Sequence, residues 1–339
     1  MPEESTTALK PTSGRSRDLW PAMGFLLPNF VGFVVFTAGP VIFSLVIAFS
    51  NWDLQRTVPF DWIGLTNFVE LARDQEFWLY FLNTAYLMMG LPIAIAGSLA
   101  LAILLSQRLK GIVAYRTLFY LPTFTSGVAL MILWKALYNP DFGPVNVVIN
   151  WGLEHLGINH FLAWLGGEPL AAPNWLQSPN NLLGLQVEQV GLSARRWGLG
   201  ARDAIILMGI WIAIGGNNML LYLAALSNIP QDLYEAAAID GAGKWATFRN
   251  ITWPQLAPTT FFIVVMSFIG GLQGGFEQAR VMTQGGPAGT TTTLVYYIYT
   301  KAFQEFQIGY ASAVAWVLFT IIFVVTLVNW KFGSKELSY

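Results

Sequence analysis

The sequence predicts an all-α integral membrane protein with six transmembrane helices. Three observations carry that reading. Hydrophobic residues make up 55% of the 339 residues and charged residues only 11%, whereas a soluble domain carries roughly 25% charge. Six long stretches contain no Asp, Glu, Lys or Arg. Lys and Arg also concentrate in one alternate set of the loops between those stretches. The net charge of −1 offers no field for nucleic acid. Cys is absent, which excludes disulfides, thiolate metal sites and Cys nucleophiles. Only His155 and His160 could do acid–base or zinc work, and their spacing makes a weak metal site.

The uncharged stretches are Pro21–Ser50, Phe77–Gln107, Thr117–Trp134, Ala204–Gln231, Asn250–Phe276 and Phe306–Trp330. About 20 apolar residues cross the ~30 Å hydrocarbon layer, so each can span, the third only barely. The first is too long for a signal-peptide core and reads as a retained helix. Asn83 and Thr84, near the start of the second, read as capping residues. Val281–Thr300 is also uncharged, but Thr283-Gln284-Gly285-Gly286-Pro287 and the Thr run after it read as a turn and polar link or a short re-entrant piece.

Six spans put both termini on one side. The set of loops carrying Lys10, Arg15, Arg17, Arg108, Lys110, Arg116, Lys244, Arg249, Lys331 and Lys335 holds ten of the 18 basic residues and is expected to be cytoplasmic. The expected organisation is a cytoplasmic tail at 1–19, mostly polar and disordered at its start, a six-helix domain at 20–332 and a cytoplasmic end at 333–339. An external insert occupies about 139–200. Its apolar runs Asn146–Leu153 and Phe161–Leu165 suggest short helices on the membrane face, with a mobile part at Gln186–Gly200.

The connection at 228–258 has its own character. Pro230 suits a first helical turn, and Asp232 and Glu235 suit its positive end. Leu233, Ala236, Ala237 and Asp240 share the spacing of one helix face. Gly241 then ends the helix and permits a left-handed backbone. A second short helix with Trp245, Phe248 and Ile251 or Thr252 on one face precedes Pro254 and Pro258. The result is an elbow with an apolar side, which usually means a partner.

Glu235-Ala236-Ala237, then Gly241, Ile251 and Trp253-Pro254 at their spacings, resemble the EAA loop of the membrane subunits of binding-protein-dependent ABC importers. The string EAAAIDGAGKWATFRNITWPQLAP is similar to the carbohydrate branch, of maltose and glycerol-phosphate permease type, with Trp253 where Leu is usual. Phe25–Pro28, Ala38–Pro40, Phe60–Phe68, Arg116–Pro122, Tyr138–Gly143 and Thr283–Pro287 fit the same branch, so the resemblance covers residues 20–332. It implies a type I importer permease fold. It also implies that the helix around Glu235–Asp240 docks in a cleft of a separate ATPase, with Gly241, Ile251 and Pro254 completing the coupling loop. The implied partners are a second related permease subunit, two ATPase subunits that hold ATP and Mg, an extracytoplasmic binding protein, membrane lipid and a carbohydrate. This chain binds no cofactor in that reading. It has no P-loop, since Gly243-Lys244 is followed by Trp245 and position 238 is Ala.

Polar residues in apolar spans are candidate substrate contacts. They are Asn217 and Asn218 after Gly215-Gly216, then Gln273, Glu277 and Gln278 around a Gly-rich run, with Tyr222, Trp211 and Phe276 offering aromatic faces to a sugar. In the resembling permeases the sugar site lies partly on the helix before the GGP turn, which points to Gln273, Glu277 and Gln278. Against these stand helix glue for the two Asn and an ion pair for Glu277 with Arg280. The alternative functions are a secondary transporter, which would need charges in the span cores, a membrane-embedded enzyme, and a permease for a non-sugar solute such as glycerol phosphate. Arg202 and Asp203, the best polar pair for an enzyme, read as a helix-end pair.

Overall fold

A computed structural model describes residues 19–107, 110–125, 127–166, 168–184 and 197–333. The segment expected to be disordered at 1–18, the end after 333 and most of the mobile part expected at Gln186–Gly200 lie outside them. The described residues form helices and no strand, with isolated bridges at Ser50–Trp62 and Asn181–Trp197.

Five helices are long and apolar enough to cross a membrane. They are α1 (Met23–Ile47), α3 (Gln75–Ser106), α8 (Ala201–Ser227), α10 (Lys244–Gln273) and α12 (Ile308–Lys331). A short α2 (Thr66–Arg73) precedes α3. The stretch read as a third straight span is broken. It holds α4 (Ile112–Phe124) and α5 (Gly127–Leu137), bent by 100°. Pro122 lacks an amide hydrogen, and Thr125 is extended, so the helix cannot run through. Two short helices follow in the insert, α6 (Pro144–His155) and α7 (Ile158–Trp164). Then come α9 (Gln231–Ile239), between α8 and α10, and α11 (Leu294–Tyr299), between α10 and α12.

Small residues let the helices approach. An added Cβ at Gly97 would lie 2.6 Å from Ile214, and one at Gly215 only 2.1 Å from the Phe119 carbonyl. The α8 helix also pauses at Gly215-Gly216, between runs Ala201–Ile214 and Asn217–Ser227. Glycine here serves close helix packing.

Asn83 and Thr84 do not cap a helix. The α3 helix begins two turns earlier, capped by Asp74, which accepts from the Glu76 amide. Asn83 instead donates to the carbonyls of Gly289 and Thr292, at 2.8 and 3.0 Å, and Thr84 accepts from the Leu294 amide. Together they clamp the Thr-rich link onto α3. That link follows a turn with Gln284 and Gly285 at positive φ and a cis Gly286–Pro287 bond. The α11 helix, with its π-turn to Gln304, is too short to cross a bilayer. Arg202 and Asp203 are likewise engaged apart from each other. Arg202 donates to the Thr290 carbonyl and lies over the Tyr86 ring, while Asp203 accepts from the Tyr86 hydroxyl at 2.6 Å and the Gly200 amide.

Asp74 is also the hub of a polar knot. Tyr297 and Tyr310 both donate their hydroxyls to it, and Lys301 lies between Glu305 and Glu76 beside both rings. Burial alone would raise the Asp74 carboxyl, but the two phenols, the Glu76 amide and Lys301 outweigh it and hold it below the usual carboxylate range. A depressed folded pKa adds stability that is complete above the ordinary value of 3.8 and is lost as pH falls through the lowered one. Asp74→Asn should therefore cost about 1–3 kcal/mol in a melt of purified protein. It should also flatten the wild-type loss of stability at acid pH.

Candidate functional site: a coupling elbow and a central cavity

The elbow stands at the end of the bundle where α3 and α8 finish. Ser106, Gln107 and Arg116 share a groove of about 520 Å³ there with Ser227, Gln231, Tyr234 and Lys244. The α9 helix starts after Pro230, with Asp232 in its first turn. It ends in a paired hydrogen-bond lock. The Gly241 amide donates to the Ala238 carbonyl at 3.2 Å, and the Ala242 amide to Ala237 at 2.9 Å. This Schellman ending needs a left-handed residue, and Gly241 has φ +73°. Nothing lies within 4 Å of where its Cβ would be. Backbone conformation, not space, selects glycine.

The faces of α9 differ from the single face expected for Leu233, Ala236, Ala237 and Asp240. Ala237 is buried, beside Tyr234, whose hydroxyl meets Thr252 on α10 at 3.1 Å. Leu233, Glu235, Ala236, Ile239 and Asp240 are exposed, Ile239 to 86%. Glu235 and Asp240 have no ion-pair partner among the described residues. The second helix of the elbow is not separate. It is the first part of α10, continued through a π-turn at Phe248–Thr252 that absorbs one extra residue per turn. Trp245 is 72% exposed and stacks on Phe248. Ile251 packs into the core of α3 and α8, and Pro254 follows directly on the π-turn inside α10.

From this elbow α10 leads to a central cavity of about 280 Å³. At about 1.5 Å per residue, a helix as long as α10 reaches across a bilayer. The cavity is lined by apolar residues of α3 and α8 and by the Gly270, Gly271, Gly274 and Gly275 run that ends α10. Its polar lining is Thr84, Asn218, Ser267, Gln278 and Thr293, with no charged side chain among the described residues.

Of the substrate candidates, the structure brings Asn218 and Gln278 together here. Asn217 turns away and accepts from the Tyr120 hydroxyl at 3.0 Å, joining α4 to α8 as helix glue. Gln273 is exposed at the end of α10 and Glu277 is exposed against Gly127, at the start of α5; neither lines the cavity. Tyr222 is fully buried in the core, donating to Thr260 at 3.2 Å, so its ring cannot face a ligand here. Glu277 and Arg280 do not pair; Arg280 lies over the Tyr299 and Phe276 rings at 4.5 and 5.7 Å. Thr84 was read in the sequence as a cap and Thr293 as part of a polar link, while Ser267 went unnoticed. Single hydroxyls in apolar helices bond their own backbone and so leave no pattern. For Ser267 the usable signal is its position three residues before Gly270.

Comparison with known proteins bears on the family and the fold. The chain is 34% identical to the probable ABC transporter permease protein YesP of Bacillus subtilis, over 100% of this chain and 98% of that one. It is 30% identical to the probable starch degradation products transport system permease protein AmyD of Thermoanaerobacterium thermosulfurigenes, covering 92% of this chain and 93% of that one. A chain of a bacterial ABC transporter involved in importing the acidic polysaccharide alginate superposes with TM-score 0.71 and 26% identity, over 94% of this chain and 96% of that one. The elbow, the bundle and residues 22–330 as a whole place this integral membrane protein in one family, the binding-protein-dependent transport system inner membrane components.

Proposed function

We propose that this chain is the permease subunit of an ATP-driven importer that carries a carbohydrate across the cytoplasmic membrane. Its termini and its elbow face the cytoplasm in this reading. The observation that carries it is the exposed, glycine-locked α9, tied by Tyr234 to the helix that ends at the cavity. A separate ATPase closing on ATP would push α9. The Tyr234–Thr252 contact would pass the displacement into α10, and its glycine run would change the cavity's access. The partners are two ATPase subunits holding ATP and Mg, a second related permease subunit and an external binding protein. Relatives named for starch degradation products and for alginate support the carbohydrate class. Relatives also include the sn-glycerol-3-phosphate permease UgpA of Yersinia enterocolitica. The cavity lining is uncharged among the described residues, however, so it favours a neutral sugar over a phosphate ester.

The test is uptake of a labelled oligosaccharide into proteoliposomes holding the assembled complex, with its binding protein outside. Transport should require ATP inside and persist when ionophores collapse proton and sodium gradients. Uptake that follows the ion gradient and ignores ATP would replace this reading with secondary transport.

A further inference from the structure

The helical pair α6–α7 ties three of its amides to the chain that follows it, while Glu154, His155 and His160 stay exposed. Asn146 accepts from the Trp175 indole at 2.7 Å, Asn150 accepts from the Ala172 amide at 2.8 Å, and Asn159 exchanges two hydrogen bonds with the backbone of Leu170. The apolar side chains turn outward. Val147, Val148, Trp151, Phe161 and Trp164 are all more than half exposed, Trp164 to 79%. An exposed run of large apolar side chains on a short helix pair calls for an apolar surrounding.

The pair is also held at a definite height. Six residues separate the end of α5 from the start of α6. Within that link Tyr138 is buried, donates to the Ala204 carbonyl at 2.9 Å and packs on Trp175. Ala204 lies three residues into α8, at the end opposite the elbow. The pair therefore sits level with the mouth of a membrane-crossing helix. Val128, Ile132 and Leu133 of α5 are exposed as well. Trp and Phe beside aliphatic residues suit the boundary between headgroups and acyl chains.

We propose that α6–α7 is an interfacial lipid-binding hairpin, lying in the membrane boundary at the end of the bundle opposite the elbow, with Trp151, Phe161 and Trp164 against lipid. This rests on the long helices crossing the bilayer as proposed above.

The absence of native Cys makes the test direct. Phe161→Cys carries an environment-sensitive fluorophore in the full complex, with any partner cysteines replaced, in nanodiscs of brominated phosphatidylcholine. Lipid brominated near the headgroup should quench the label roughly threefold more than lipid brominated near the chain end, because an interfacial helix sits about 5–10 Å into the boundary. Phe36→Cys, in the middle of α1 and 81% exposed, serves as the span control and should respond most to deep bromines. A label at 161 that is unquenched while the control at 36 is quenched overturns the hairpin alone. A label at 161 shielded only when the binding protein or second permease subunit is added assigns the face to that protein and also overturns it. Loss of quenching at both positions overturns the spanning arrangement itself.

Discussion

Replacing Gly241 by valine should lower substrate-stimulated ATP hydrolysis by the assembled importer roughly tenfold, within the usual range of coupling energies. The helices should remain folded. The cause is local. Residue 241 sits at φ +73°, where a β-branched residue is a strong outlier and L-residues in general cost about 1–2 kcal/mol. Valine would open the Ala238 and Ala237 locks and let the α9 end swing. Gly241→Asn should stay near wild type, because asparagine tolerates that region and the space beside it is empty. Gly241→Asp should fall between them, adding a charge to the exposed tip beside Asp240. Glu235→Ala leaves the lock intact and removes a carboxylate with no ion-pair partner in this chain among the described residues. It should reduce coupling by weakening the docked complex, and excess ATPase subunit should rescue it, whereas Gly241→Val should not be rescued. The readout is ATPase activity with and without loaded binding protein, beside the melting profile of each variant. Valine at 241 with wild-type coupling would remove α9 from the drive train.

The second large effect belongs to the cavity. Gln278→Ala and Asn218→Ala should each raise the half-saturating concentration for uptake roughly three- to tenfold, the loss expected for one hydrogen bond to a neutral group. Complex assembly and basal ATPase should be unchanged. The cavity, about 280 Å³, lies at the small end of ligand pockets, so in this conformation it accommodates a sugar unit and not a long oligosaccharide. A bulky residue at Gly271 would meet Met88 at 2.9 Å and should close it, abolishing uptake. Gln273→Ala and Glu277→Ala lie outside the lining and should change uptake less. Tyr222→Phe should cost stability alone, through its bond to Thr260. Larger uptake defects from Gln273 and Glu277 than from Gln278 and Asn218 would move the substrate path away from this cavity.

Much of the fold was legible because a bilayer leaves few solutions. Uncharged runs of about 20 residues become helices there, and five of the six lie in helices long enough to cross, α8 with a pause at Gly215-Gly216. The elbow was legible because a helix stop has a chemical signature, a glycine where only glycine is unstrained. What stayed hidden depended on direction. Leu233, Ala236, Ala237 and Asp240 have one helical spacing, yet Ala237 faces the core while the others face outward, because Tyr234 and Thr252 set the rotation of α9. The broken third span was hidden because Pro122 is tolerated in some membrane helices and ends others. Asn83 looked like a cap because only its position in an apolar run was visible, not the carbonyls 206 and 209 residues away that it binds.

By itself, the sequence determined that this protein is a bundle of membrane helices with a glycine-ended elbow outside them. Charge scarcity and backbone conformation are local quantities, and both are written residue by residue. Only the tertiary structure decided which polar residues meet. Asn218 and Gln278 share a cavity while Asn217, one residue away, bonds Tyr120. Neighbours on a helix point about 100° apart, so the face each presents is settled by how the helices pack and not by the type of residue.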